Sequence, residues 1–172
     1  MEICYSAEAL SGYLEANVKA DQEHPLLLDR FLENAIEVDV DALADGSECF
    51  VAGVMQHVEE AGVHSGDSAC VIPGPSVTPA LEQEIGRIAG LIARRLGVRG
   101  LLNMQLAVYE GQLHVLEANP RASRTVPFVS KATGFPLVDL ACRLMLGARL
   151  SELGLPERAE QTRAWAKEAI FP

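Results

Sequence analysis

A mixed α+β domain, an antiparallel sheet flanked by helices, is the fold class this sequence predicts. Three observations carry it. Residues 35–44 alternate over much of their length, with Ile36, Val38 and Val40 facing one way and Glu37, Asp39 and Asp41 the other. A second pair of apolar runs, residues 100–118, folds back around Glu110-Gly111. Two further segments repeat at helical spacing between recognisable start and stop residues.

Taken in order, Met1 to Tyr5 reads as a short strand, and Ser6 as the cap of a helix over residues 7–19. That helix places Leu10, Tyr13, Leu14 and Val18 on one face. Residues 25–32, Pro-Leu-Leu-Leu-Asp-Arg-Phe-Leu, read as a buried strand. The alternating strand follows, turns at Asp45-Gly46, and returns from Cys49 to about residue 59. The resulting sheet has one apolar and one acidic face. Thr78 caps a helix with Pro79 at its first position, Leu81, Ile85, Ile88, Ile92 and Leu96 as its buried stripe, and Gly97 as its stop. Pro136 opens another, with Leu137, Leu140, Ala141 and Leu144 inward and Gly147 closing it. The tail, about 150–172, reads as helical with Trp165 as its anchor.

With 172 residues, 49% of them hydrophobic, the chain can bury a real core, and one domain is the default. A net charge of −10 argues against a general nucleic-acid or anionic-membrane surface, though not against ATP. No apolar run is long enough to span a bilayer and no signal peptide is evident, so the cytoplasm is the expected location. Cys4, Cys49, Cys70 and Cys142 form no CxxC pair and read as reduced thiols.

The most informative stretch is residues 105–125. If Glu110, Gly111 and Gln112 form a three-residue loop, Gln105 opposes Glu117 on one face. A strict two-residue loop would send them to opposite faces. Glu117, Asn119 and Arg121 project the same way while the strand lasts. A carboxylate, an amide oxygen and a guanidinium there suit hard cations and a polyphosphate; the alternative is an ordinary hairpin with a solvated polar face. Glu37, Asp39 and Asp41, taken alone, read as another solvated face. Residues 59–68 form a polar, glycine-bearing loop suited to nucleotide edges. Ser65 has no nucleophile-elbow motif, and His64 with Asp67 makes no metal motif. GxGxxG and Walker A loops are absent, so any ATP site uses another architecture.

Together, Glu37-Val-Asp-Val-Asp41, Ala61-Gly-Val-His-Ser-Gly-Asp-Ser68, Asn103-Met-Gln105, Glu117-Ala-Asn-Pro-Arg-Ala-Ser-Arg124 and the run from Thr125 to Gly134 resemble the large chain of carbamoyl-phosphate synthetase. That family carries two ATP-grasp units, and Thr125-Val-Pro-Phe-Val-Ser-Lys131 resembles the second, which phosphorylates carbamate. The resemblance implies an ATP-grasp large lobe. It implies Gln105, Glu117 and Asn119 as ligands of two magnesium or manganese ions, with Gln105 and Glu117 also at the nucleotide. Glu37 matches a ribose-binding carboxylate, Arg30 and Leu32 the adenine-side strand, and Gly62, Val63, His64 and Ser65 the loop over the nucleotide. Arg121 and Arg124 match catalytic arginines near the transferred phosphate and carbamate. His57, Glu60, Val63 and Ser68 fall where the family places a potassium ion, although Glu60 stands where Gln is common.

The resemblance also implies a partial ATP-grasp domain over residues 1–172, with about 150–172 beginning the connection to the next domain. The small lobe over the phosphates is missing, so the expectation is an inactive fragment. Its partners would be the rest of the large chain and a glutaminase small subunit, and its product would serve arginine and pyrimidine synthesis. Two other readings stand beside this one: another ATP-grasp ligase such as a biotin carboxylase relative, and a stand-alone acidic binding module. The loop Gly62-Val-His-Ser-Gly-Asp-Ser68 favours the first over a carboxylase.

Overall fold

The computed structural model describes residues 2–17, 26–59, 61, 63, 67–157, 159 and 163–168. They fall into two compact units, Met1–Glu33 and Asn34–Pro172.

The first unit holds helix α1, Ala7–Asn17. Ser6 caps it, its Oγ accepting from the Ala9 amide at 3.1 Å. Leu10, Tyr13 and Leu14 are its half-buried residues, as the spacing requires, but none is fully buried; Val18 lies outside the described residues. The strands expected at the start and at 25–32 are not formed. Residues 2–5 and 26–32 carry no strand pairing, Leu27 is 84% exposed, and Pro25 lies outside the described residues. An apolar run becomes a strand only where a neighbouring strand takes its backbone groups.

The second unit is built on a six-stranded sheet. Its strands are β1 (Ile36–Asp45), β2 (Cys49–His57), β3 (Cys70–Ile72), β4 (Arg99–Tyr109), β5 (Gln112–Asn119) and β6 (Trp165–Lys167), in the order β5-β4-β1-β2-β3-β6. All neighbouring pairs are antiparallel. The alternation of β1 sorts two cores. Val38, Val40, Ala42 and Ala44 join Leu102, Met104 and Leu106 of β4 under helix α2, Pro79–Leu96. On the other face, Leu43, Met55 and Leu101 pack beneath α3 (Val126–Thr133) and α4 (Leu137–Met145).

α2 starts and stops where the sequence signals it. Thr78 Oγ1 accepts from the Leu81 amide, and Gly97 closes the helix at φ 62°. Its buried stripe differs from the expected one: Ile85, Ala89, Gly90 and Ala93 are buried, whereas Leu96 is 56% exposed. Small residues let the helix axis approach the sheet, and the larger side chains splay to the flanks. α4 buries Leu137, Leu140, Ala141 and Leu144, the expected set. α3 was not foreseen as a helix. The tail is not helical in its described part: Leu150–Glu152 forms one 3-10 turn and residues 165–167 form β6 beside β3. Trp165, the expected anchor, is 40% exposed on that edge strand.

The β4–β5 turn corrects the register argument. Tyr109 pairs with Gln112, so the loop is the two residues Glu110 and Gly111, with φ 50° and 75°. Positive φ at both positions matches the right-handed twist of the flanking strands. A bulge at Leu116 then inserts one residue, so Leu106 faces Val115 but Gln105 faces Glu117.

Candidate functional site

The bulge determines which side chains share a face. Gln105 opposes Glu117, Asn103 opposes Asn119, and on the inner flank Asp39 opposes Gln105 and Asp41 opposes Asn103. Directly opposed residues of an antiparallel pair project to the same side. Glu37, Asp39, Asp41, Asn103, Gln105, Glu117 and Asn119 therefore line one face across three strands. Its outer edge is open, with Glu117 exposed and Gln105 and Asn119 half-buried. Its inner row is not the solvated acidic face that alternation suggests: Glu37 is 3% exposed, and Asp39 and Asp41 are fully buried.

Buried carboxylates need partners. Asp41 has three side-chain donors. Its Oδ1 accepts from Asn103 Nδ2 at 3.0 Å and Ser123 Oγ at 2.8 Å, and its Oδ2 from Thr125 Oγ1 at 2.6 Å. Burial pushes the Asp41 carboxyl up to about 6; the Thr125 hydroxyl opposes this, the Asp39 charge adds to it, and Ser123 and Asn103 oppose it. Asn103 Nδ2 also donates to Asp39 Oδ1. The His57 ring lies between the two remaining acids, Nδ1 3.7 Å from Glu37 Oε1 and Nε2 3.9 Å from Asp39 Oδ2. Those separations suit ion pairing but exceed hydrogen-bond length, and among the described residues Asp39 Oδ2 and both ring nitrogens have no hydrogen-bond partner. Burial disfavours the imidazolium, but Asp39, Cys70 and Glu37 outweigh it and raise His57 to about 10.

Beyond β5 the chain turns back. The Arg121 amide donates to the Asn119 carbonyl at 2.8 Å and Arg121 Nη2 to Asn119 Oδ1 at 3.3 Å. Arg121 and Arg124 are both exposed. Thr125 then stands at the start of α3, its hydroxyl committed to Asp41 instead of capping the helix. The loop after β2 is anchored at its far end: Glu59 Oε2 accepts from the Ala69 amide at 2.8 Å, and Lys167 Nζ donates to the Ser68 carbonyl at 2.8 Å.

The sequence-derived residues thus divide. Glu37, Gln105, Glu117 and Asn119 share one face, with Arg121 and Arg124 on the segment that follows. Arg30, exposed, and Leu32, half-buried, belong to the first compact unit. Val63 is 39% exposed, and its carbonyl accepts from Ser68 Oγ at 3.3 Å. Gly62, His64, Ser65 and Glu60 lie outside the described residues. Among the described residues no group of three or more His, Cys, Asp or Glu side chains is arranged to hold a metal ion. Gln105, Glu117 and Asn119 put one carboxylate and two amide side chains on one face, and the chemistry of those oxygens suits a hard cation such as magnesium or manganese. Sequence reasoning missed the joint partnership of Asn103, Ser123 and Thr125 with Asp41. The only signal was their position inside the quoted motifs.

Comparison with solved structures places this architecture. A biotin carboxylase domain of a single-chain bacterial carboxylase superposes with a TM-score of 0.72 at 22% identity, covering 91% of this chain and 34% of that one. The biotin carboxylase domain of a thermophilic 2-oxoglutarate carboxylase, solved with ADP and without magnesium, gives 0.66 at 19% identity, covering 80% and 30%. The fold is that of an ATP-grasp lobe. Residues 1–153 match the family model described as carbamoyl-phosphate synthase L chain, ATP binding domain. Carbamoyl phosphate synthase large chains of Archaeoglobus fulgidus and Methanothermobacter thermautotrophicus are each 52% identical, and that of Pasteurella multocida 49% identical, over all of this chain. The chain belongs to the carbamoyl-phosphate synthase large-chain family, a family of ATP-grasp ligases. It spans 16% of the length of these relatives. Among the described residues no helix is long and apolar enough to cross a membrane.

Proposed function

We propose that this chain supplies the metal- and nucleotide-holding lobe for ATP-dependent phosphorylation of carbamate to carbamoyl phosphate. The observation that carries the reading is the pairing of Gln105 with Glu117, with Asn119 on the same face and the Arg121–Arg124 segment directly beyond. Gln105, Glu117 and Asn119 would hold two magnesium or manganese ions, which offset charge on the transferring phosphoryl group. Arg121 and Arg124, exposed beside that row, present planar guanidinium groups to phosphate and carbamate oxygens. Asn119 Oδ1 already accepts from Arg121, so this amide links the metal-facing row to the anion-binding side chains. Glu37 would meet the ribose; for Arg30, Leu32 and the loop of Gly62, Val63, His64 and Ser65 a nucleotide role rests on the family resemblance alone. The Thr125-Val-Pro-Phe-Val-Ser-Lys131 run supports the carbamate step over the earlier phosphorylation. The remainder of a large chain and a glutaminase subunit would complete a cytoplasmic enzyme serving arginine and pyrimidine synthesis.

The test is Glu117→Gln in a large chain that carries this sequence. The exchange keeps the side chain's shape and removes its charge. Carbamate phosphorylation should fall by about 10²–10³-fold, the scale for loss of one preorganised electrostatic group, while phosphorylation at the other ATP-grasp unit continues. Equal loss of both partial activities would refute the assignment and give Glu117 a structural role.

A further inference from the structure

We propose that Asp41 is a positioning residue whose buried carboxylate ties down the segment carrying Arg121 and Arg124. The inference rests on the phosphoryl-transfer reading above and extends it to a buried residue of the same face.

Asp41 sits mid-strand on β1 and is fully buried. Two residues further along the same face stands Leu43, packed in the apolar core. Packing alone would be served by another apolar side chain at position 41, because a buried carboxylate is costly unless its oxygens are satisfied. Here both are. Asn103 reaches Oδ1 from the neighbouring strand, while Ser123 reaches Oδ1 and Thr125 reaches Oδ2 from the segment between β5 and α3. Two of the three donors therefore come from the stretch that bears the arginines. Ser123 and Thr125 flank Arg124, and with both hydroxyls turned inward onto one carboxylate, Arg124 remains exposed. Ser123 Oγ and Thr125 Oγ1 are also 2.6 Å apart, and the Thr125 amide donates back to Ser123 Oγ at 3.2 Å, which closes the cluster on itself. At its start, the segment is held by the Arg121 amide on the Asn119 carbonyl. At its end, the Thr125 carbonyl accepts from Val129 in the first turn of α3. Asp41 is the tie between these ends and the centre of the sheet. Phosphoryl transfer depends on positioned charge, so displacing the arginines by a fraction of an ångström lowers turnover without removing any group that contacts substrate.

Three variants test this: Asp41→Asn, Thr125→Val, which keeps the shape and removes the hydroxyl, and Thr125→Ser, which restores the hydroxyl. Hydrogen exchange on this chain should speed by about tenfold or more in the amides of residues 121–126 for the first two variants, with β1 and β4 unchanged. In a large chain carrying the sequence, kcat for carbamate phosphorylation should fall by about 10–100-fold, the scale for ångström-size misplacement. KM for ATP and affinity for Mn2+ should stay within about twofold, because the row that meets them is intact. Thr125→Ser should recover most of the kcat that Thr125→Val loses. Faster exchange spread evenly over the sheet, or a raised KM with unchanged kcat, overturns the positioning role. So does localised exchange with undiminished kcat. A wild-type large chain without carbamate-dependent turnover overturns the functional reading itself, a failure distinct from these.

Discussion

Gly53→Ala tests how closely α3 must approach the sheet. Gly53 pairs with Asp41 on β1, directly under α3. A Cβ at position 53 would stand 2.7 Å from Val129 Cγ1 and 3.5 Å from Cγ2. Carbon atoms pack at about 3.5–4.0 Å, so α3 or the Val129 side chain must yield by close to 1 Å. Val129 is fully buried, and a β-branched residue in a helix has one strongly preferred rotamer, so the helix is the part that moves. Overpacking of this kind costs about 1–3 kcal/mol, and replacing a strand glycine by alanine returns about 0.5–1 kcal/mol. The net expectation is a loss of roughly 0.5–2 kcal/mol, or a Tm lower by about 1–8 °C for a chain of this size. Urea unfolding of wild type, Gly53→Ala, Val129→Ala and the double variant measures it. The double variant should be more stable than the sum of the single effects by about 1 kcal/mol, because the new methyl occupies the space the valine vacates. A Gly53→Ala protein with an unchanged midpoint, or strict additivity in the cycle, would refute the close-approach argument.

His57 should give the fold an alkaline limit. Its folded-state pKa is raised from 6.5 to about 10, so the stability it contributes is fully present below 6.5 and is lost as pH rises through 10. Tm measured from pH 6 to 10 should fall across that window, and His57→Gln should flatten the decline. Asp45→Ala should cost about 1–3 kcal/mol in chemical denaturation, because the carboxylate accepts from the amides of Ser47, Glu48 and Leu150 and the buried Leu150 amide would lose this acceptor. The same contacts outweigh burial and hold the Asp45 carboxyl below the usual range, so its contribution is present above 3.8 and lost in stronger acid. Glu110→Asn should raise stability by on the order of 0.5 kcal/mol, since Glu110 occupies φ 50° in a two-residue turn where asparagine is better tolerated; an unchanged or lower midpoint would count against the turn assignment.

Local chemistry was sufficient for much of this fold. The alternation of residues 36–41, the Thr78-Pro79 start and Gly97 stop of α2, and the inward set of α4 each follow from backbone period and capping, which act over a few residues. The family motifs likewise pointed to Gln105, Glu117, Asn119 and the arginines. The tertiary structure decided what local period cannot express. Gln105 and Glu117 meet through a two-residue turn and a bulge at Leu116, whereas the sequence favoured a three-residue loop; either device yields the same facing, and only strand pairing distinguishes them. Alternation placed Glu37, Asp39 and Asp41 on one face but was silent about what covers it. Their burial depends on β2, β4 and the segment before α3. Residues 26–32 were apolar enough for a strand but acquired no pairing neighbour. Asp41 is the sharpest case: in the sequence it is one acid in an alternating row, and it becomes a hub only when Ser123 and Thr125, more than eighty residues away, are brought within hydrogen-bond distance. Such a contact is set by chain topology and by the need of a buried charge for donors, neither of which is written in the residues adjacent to it.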